Sequence, residues 1–437
     1  MARAHIDVDV TGAEDGTIRI AARPALRHAG AYDGYDDVVA AGPDFTRAVL
    51  DVAGAVLSWP VLGDPGPPSA EVHDTGRAQQ WLWALYGERV AAAVHDRAPG
   101  VPAGIRVAAD STALAGSAAR LGLGHWAARW WPTSYLDGIP ALEPDMLGVE
   151  LAALTHRCQQ LFDDDQPDDS VAELIEEHRT ALEPLIQWWR AAPRADTAHH
   201  LESVLRLIDD AADSAGLDGP ALRLLRSALG RHRPPGTPAG SGAPLARHDG
   251  YALAAGGPPA AGGRVIARGS GTNDWRRYPP GFVDAAENAV SWTARALGAR
   301  RRIEVEAVAH IAARTAGVPL VAEIHVDGGR PNRVPLAGRD DMWTGGADLD
   351  LGLPAGAVPP RIEVGVLLPG FDPGPGPGLP GTSGAAEGRA DRDAIRTLVR
   401  RRLTAAAQPL AYDGAPYDSP SGPFLAETAA ATTAGDY

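Results

Sequence analysis

The chain has 437 residues, 45% of them hydrophobic, and a formal net charge of −15 at pH 7. This length exceeds one typical domain and predicts two or three. The acidic balance argues against a general nucleic-acid binder, which needs a basic surface to neutralise phosphates. The sequence contains no lysine, which excludes Schiff-base chemistry, a pyridoxal-phosphate anchor and a Walker-type phosphate lysine.

Two explanations for the missing lysine remain open. Codon use in a high-GC bacterial genome accounts for it, because asparagine, whose codons are also A-rich, is nearly absent while glycine and proline are abundant. Alternatively, the protein works beside enzymes that modify lysine side chains and has lost its own targets, since arginine keeps the charge but is not acylated in this way. A count of lysines in proteins encoded nearby separates the two.

The single cysteine, Cys158, excludes an intramolecular disulfide and a cysteine-rich zinc site. It lies on an apolar stripe at helical spacing, which is typical of a core residue. The first residues contain no apolar leader, and no stretch approaches 18 apolar residues. We therefore expect a soluble, cytoplasmic protein with no membrane partner.

Residues 1–232 are predicted to form a mainly helical domain that starts with a short β-hairpin. The alternation in HIDVDV and TIRIAA, with a turn at EDGT between them, indicates the two strands. Helices are then predicted near 43–58, 77–97 and 112–131. Four amphipathic helices with short connections follow between 145 and 230, which is typical of an antiparallel bundle.

The sequence changes character after a Pro/Gly/Ala-rich linker at 233–262. Residues 263–369 contain short β-like runs between Gly, Pro and Asp turns, with one helix at 280–297, and this pattern suggests an antiparallel β-sandwich of immunoglobulin-like type. A Gly/Pro tract at 370–388, an Arg-rich helix at 389–407 and a tail at 408–437 complete the chain. The predicted fold class is α+β and multidomain.

The most distinctive polar cluster is Asn273-Asp274-Trp275-Arg276-Arg277-Tyr278. Two guanidinium groups beside Trp and Tyr suit a carboxylate or phosphate, or a stacked base, so these residues are candidates for binding an anion or a partner. The alternative is a structured loop whose Trp lies in the core and whose Arg residues pair with Asp or Glu. The candidate residues are Asp274, Trp275, Arg276, Arg277 and Tyr278.

The C-terminal tail contains one compact hydrophobic anchor, Phe424-Leu425, between proline and small residues. The rest of the tail shows no helical or strand periodicity. We expect these two residues to dock into a groove, and the tail to have little order of its own until it is bound.

No catalytic motif stands out, and we predict no catalytic residue, no cofactor and no metal site. The adjacent His199 and His200 project about 100° apart on a helix and cannot both bind one ion. The pattern favours a non-catalytic accessory subunit of a cytoplasmic bacterial multiprotein system that docks a protein partner through its β-sandwich and tail. The alternatives are an enzyme without a standard motif, which holds an anionic small molecule on Arg276 and Arg277, and an adaptor for single-stranded nucleic acid.

Overall fold

The computed structural model describes residues 5–22, 44–63, 66–96, 103–108, 113–162, 167–192, 195–230, 263–311, 313, 320–339, 341–349, 360–371, 382–408 and 422–433. The protein is of mixed α+β class, and its described strands form three antiparallel sheets. It divides into two compact units: unit 1 comprises 1–128, 142–246 and 401–437, and unit 2 comprises 129–141 and 247–400. The predicted linker at 233–262 lies outside the described residues, as do 372–381 of the Gly/Pro tract.

Unit 1 contains a six-stranded sheet. Its strands are β1 His5–Gly12, β2 Ile18–Ala22, β3 Arg47–Val52, β4 Ala55–Pro60, β5 Ser69–Val72 and β6 Ala103–Ala108. They lie in the order β3-β4-β5-β2-β1-β6. The predicted hairpin of β1 and β2 is confirmed: Val10 lies opposite Ile20, and both side chains are buried as the alternation requires.

The described residues of unit 1 also form helices. They are α1 Thr75–Tyr86, α2 Glu88–His95, α3 Ala113–Trp130, α4 Pro144–Arg157, α5 Pro167–His178, α6 Leu182–Ala191, α7 Ala195–Ser214 and α8 Pro220–Gly230. The carboxylate of Asp74 accepts hydrogen bonds from two backbone N–H groups at the start of α1, which is the usual way to satisfy that helix end. Apolar side chains bury α4 against α5, α6 and α7.

Unit 2 contains two further antiparallel sheets. Their strands are β7 Arg264–Ser270, β8 Val290–Leu297, β9 Arg300–Val308, β10 Val321–Val326, β11 Asn332–Pro335, β12 Ala337–Arg339, β13 Met342–Asp348 and β14 Ile362–Leu367. One sheet has the order β12-β13-β9-β8-β7, and the other has the order β11-β10-β14. Asp327 and Gly328 both have positive φ in the turn that follows β10, which suits the Asp-Gly pair in the sequence.

Two helices lie in the C-terminal part, α9 Thr382–Ala407 and α10 Leu425–Thr433. The predicted Arg-rich helix at 389–407 is confirmed, and α9 starts earlier than the sequence pattern suggested. The tail was expected to lack regular structure, yet α10 forms a helix within it. Residues 409–421 lie outside the described residues.

The predicted helix at 43–58 is wrong. These residues form a short 3₁₀ turn and the hairpin of β3 and β4, in which Val52 pairs with Ala55 across a two-residue turn. Gly54 has φ +71 in that turn, and a Cβ there would lie 2.4 Å from the Asp74 carbonyl oxygen. Ala53 and Gly54 therefore form a chain reversal, which the helical prediction missed.

The predicted helix at 280–297 is also wrong, because its second half is the strand β8. Val290, Trp292 and Ala294 are buried while Ser291 is exposed, and this period of two is that of a strand. The helical prediction rested on Pro280 as a start and Gly298 as a stop, and the pairing of β8 with both β7 and β9 overrides these local signals.

Candidate functional site

An exposed turn in unit 2 carries two large apolar side chains. Ser134 and Ile139 exchange backbone hydrogen bonds of 2.9 and 2.8 Å, and Gly138 adopts φ +64 to complete the turn between them. At its tip Tyr135 is 47% exposed and Leu136 is 37% exposed. Among the described residues these are the only consecutive large apolar side chains that are both at least 36% exposed.

A buried carboxylate holds this turn in place. Asp284, which is 2% exposed, accepts hydrogen bonds from the Ser134 hydroxyl at 2.7 Å and from the Tyr135 backbone N–H at 2.6 Å. It also accepts one from the Ala286 backbone N–H at 2.9 Å. Hydrogen bonds to a charged acceptor are the stronger class. The backbone of the turn tip therefore binds inward while its side chains face solvent.

The segment around Asp284 is itself fixed by the polar cluster that the sequence singled out. The buried Asn273 side chain donates to the carbonyl oxygens of Asp284 at 2.8 Å and Ala286 at 2.6 Å. The Tyr278 hydroxyl donates to the Asn273 side-chain oxygen. Burial raises the pKa of Tyr278, so its hydroxyl keeps its proton for this bond.

Two arginines of α9 bind the same segment. Arg392 donates to both carboxylate oxygens of Glu287, at 2.5 and 3.1 Å, and Arg396 donates to Glu287 at 2.7 Å and to the Ala285 carbonyl oxygen at 3.0 Å. Burial opposes ionisation of Glu287, but hydrogen bonds and charge from both arginines outweigh it and lower the pKa of this carboxyl. The Arg396 guanidinium also lies 5.3 Å from the centre of the Trp275 ring.

The turn is tied to α9 through Asp137. Its carboxylate lies 3.4 Å from Arg396 and 3.5 Å from Arg400, and its carbonyl oxygen accepts a hydrogen bond from Arg400 at 3.1 Å. Its backbone N–H donates to the Ser134 hydroxyl at 2.9 Å. Backbone, carboxylate and guanidinium contacts thus hold the turn from two sides.

The predicted site residues at 274–276 belong to this internal network. Trp275 is buried, and Asp274 forms a two-point ion pair with Arg276 at 2.7 and 3.0 Å. Burial opposes ionisation of Asp274, yet hydrogen bonds and charge from Arg276 lower its pKa. Arg276 is 42% exposed, so an external anion would compete there with a carboxylate already in place.

Arg277 binds elsewhere, on the three-stranded sheet. It donates to Glu323 at 2.9 Å, while Arg333, directly opposite Glu323 on β11, donates to the other carboxylate oxygen at 3.1 Å. His325 lies 3.4 Å from the same carboxylate. Gly365 pairs with Glu323 on the other side, and a Cβ there would lie 3.1 Å from the Arg277 guanidinium. The missing side chain leaves room for Arg277 across β14.

The tail candidates lie inside unit 1. Phe424 and Leu425 are fully buried against residues of the same chain, at the start of α10. Their docking to another protein stays a prediction, and it requires this segment to leave its present position.

The structure adds residues that the sequence had not marked. Tyr135, Asp137, Asp284 and Glu287 were not candidates, although Asp137-Gly138 is a recognisable turn signal. Within the described ranges, no group of three or more His, Cys, Asp or Glu is placed to hold a metal ion. None of the described helices is both long and apolar enough to cross a membrane.

The chain matches no protein family, and no curated protein and no solved structure is significantly similar to it. Its own contacts are therefore the basis for any functional conclusion.

Proposed function

We propose that this chain is a non-catalytic accessory subunit of a cytoplasmic bacterial multiprotein system, and that the turn at residues 134–139 anchors a partner protein. One observation carries the proposal: Tyr135 and Leu136 are exposed on a turn whose backbone is held by the buried Asp284. Aromatic anchors dominate the binding energy of protein interfaces. Rigid presentation lowers the entropy lost on binding.

The partner that fits this turn has an apolar pocket deep enough for a Tyr ring. Arg400, beside the turn, is already paired with Asp137, so recognition rests on the apolar side chains of the turn.

The proposal includes two finer features of the fold. We take the two sheets of unit 2 to pack as an immunoglobulin-like sandwich, which is supported by the close approach of Gly345 on β13 to Val334 and Leu336. A Cβ on Gly345 would lie 2.7 Å from Leu336 and 3.3 Å from Val334. We take the helices α4 to α8 as an antiparallel bundle beside the sheet of unit 1, which is supported by their mutual contacts.

Site-specific photo-cross-linking in the encoding organism tests the anchor. A photo-reactive phenylalanine analogue replaces Tyr135 in the full chain, and the same analogue at Trp83 serves as the matched control, because Trp83 is an aromatic residue 63% exposed on α1. We expect one protein to be captured from position 135 and not from position 83. Capture of the same proteins from both positions, or from neither, contradicts the proposal.

The affinity for the captured partner then measures the anchor directly. We expect Tyr135→Ala or Leu136→Ala to weaken binding by about 2 kcal/mol, roughly 30-fold, while Trp83→Ala leaves it unchanged. Equal losses from all three variants would show that the turn is not the anchor.

A further inference from the structure

We propose that unit 1 contains a peptide-binding groove, formed by α3, α4 and the last turns of α9, and that residues 422–433 of the chain are its reversible ligand. This groove is defined by Arg120, Gly124, Glu150 and Arg402. It is independent of the turn at 134–139, which belongs to unit 2.

The groove binds the main chain of the segment. The buried Arg120 donates to the carbonyl oxygens of Gly422 at 3.0 Å and Pro423 at 2.8 Å, and Arg402 donates to Gly422 at 3.1 Å. Arg120 is held in place by Glu150 at 2.8 Å. These charge-assisted bonds recognise the backbone of the segment just before α10.

A shaped pocket accepts the Phe424 ring. Its centre lies 4.7 Å from the Arg120 guanidinium and 5.6 Å from that of Arg402. A Cβ on Gly124 would lie 3.4 Å from the ring, so the glycine provides one wall of the pocket. Cation–π contact and burial both favour an aromatic side chain at this position.

The groove also selects, by charge, the residue three positions after Phe424. Arg402 donates to both carboxylate oxygens of Glu427, at 2.6 and 2.7 Å, and Glu427 is buried. The positive charge of the Arg402 guanidinium favours a carboxylate at this position of the ligand. The ligand that neutralises it is a helical segment with an aromatic residue followed three positions later by a carboxylate.

The groove, and not the segment, supplies part of the cap of α10. Phe424 stands at the N-cap position, where its side chain cannot accept a hydrogen bond from the helix. Glu427 reaches back to the Phe424 N–H at 2.7 Å, while Glu150 accepts from the Leu425 N–H at 2.8 Å. A nine-residue helix is marginal in water by itself. Helix formation in this segment therefore depends on the groove.

The apolar contribution of the segment is concentrated at its start. Beyond Phe424 and Leu425, its buried apolar residues are alanines: Ala426, Ala429, Ala430 and Ala431. Alanine buries little surface compared with the Leu, Ile and Trp of a core helix. Detachment of the segment thus exposes far less apolar surface than loss of a core helix.

A nicked full-length protein tests the groove. A specific protease sequence replaces residues 411–418, the folded chain is cut there, and a labelled synthetic peptide of residues 420–437 is added. We expect the peptide to displace the cut segment within hours while the far-UV circular dichroism of the remainder is retained. A segment that never exchanges, or a remainder that unfolds when the segment leaves, overturns the proposal by making α10 an integral core element.

Variant peptides test recognition without altering the protein. We expect Phe424→Ala to weaken competition at least 100-fold and Glu427→Gln at least 10-fold. Thr432→Ala, at an exposed position of α10, is the matched control and should compete like the unmodified peptide. If the Phe424→Ala peptide competes as well as the control, the pocket is not a recognition site.

Discussion

At the scale of single residues, the most consequential carboxylate is Asp284. It accepts hydrogen bonds from Ser134, Tyr135 and Ala286, and Asp284→Asn would turn an amide N–H₂ toward at least one of these donors. We expect the free energy of unfolding of the variant to fall by about 2–3 kcal/mol, since buried donors lose their acceptor. Urea denaturation measures this, and Asp348→Asn, at an exposed end of β13, should stay within about 0.5 kcal/mol of the parent protein.

Gly148 in α4 is a second residue whose role the structure explains. A Cβ there would lie 1.9 Å from the His178 ring, whose Nδ1 is 3.0 Å from the Asp145 carboxylate. Gly148→Ala must displace the ring and break that contact, so we expect a loss of about 2–4 kcal/mol in stability.

The matched control for this variant is Gly230→Ala in α8, where a Cβ meets no atom within 4 Å. That change should stabilise the protein by up to about 1 kcal/mol. Thermal unfolding of both variants measures the difference, and an unchanged Gly148→Ala melting temperature would show that His178 has room to move.

The candidate site shows what local sequence can and cannot reveal. The segment 273–278 was recognisable because Trp, Tyr and Arg stand together, and its alternative interpretation as a structured loop agrees with the buried Trp275 and the paired Arg276. Its function as support for the turn was not recognisable. Asp284 and Arg396 meet the turn from 149 and more residues away in sequence, and no local pattern encodes such a contact.

At the scale of elements, the helices with a clear apolar periodicity were predicted well, and three of the strands were not. The helices α7 and α8 follow their apolar stripes and start or stop signals closely. The sequence analysis predicted helices over the residues of β3, β4 and β8. Their strand conformation comes from pairing with neighbours, as for β8 between β7 and β9, which propensity does not register.

The ion pairs between Glu287 and two arginines of α9 make the stability of unit 2 depend on pH. The folded-state pKa of Glu287 lies below its ordinary value of 4.5, so between the two values the unfolded chain binds more protons than the folded one. This contribution is present above pH 4.5 and is lost as the pH falls through the folded pKa. We expect Glu287→Gln to lower the free energy of unfolding by about 2–4 kcal/mol at pH 7. The variant should also lose less stability than the parent protein as the pH falls below 4.5.

Urea denaturation between pH 3 and 7 measures the effect of Glu287→Gln, with tryptophan fluorescence as the signal because Trp275 lies against Arg396. Glu363→Gln is the matched control, since Glu363 forms an exposed ion pair with Arg361 on β14. The control should keep the pH dependence of the parent protein. If Glu287→Gln loses stability with falling pH as steeply as the parent protein, Glu287 is not the group responsible for this pH dependence.

At the scale of the whole molecule, the absence of lysine acquires a structural meaning at some positions and none at others. Arg120, Arg392 and Arg396 are buried, and each donates through several N–H groups spread over the planar guanidinium. The single side chain of Arg396 contacts Glu287, Asp393 and the Ala285 carbonyl oxygen. A buried ammonium would reach fewer of these acceptors and would lose its proton more readily.

Substitution of arginine by lysine therefore tests where the fold requires arginine and where codon use explains the absence of lysine. We expect Arg396→Lys to cost at least about 3 kcal/mol in unfolding free energy, whereas simultaneous lysine substitution of the exposed Arg179, Arg206 and Arg223 changes it by less than about 1 kcal/mol. If the triple variant is also stable and unmodified in the encoding organism, neither folding nor lysine modification requires the absence of lysine, and codon use explains it. A triple variant that folds normally in isolation but is acylated or conjugated in the cell supports the alternative, that the chain has lost targets of a neighbouring enzyme.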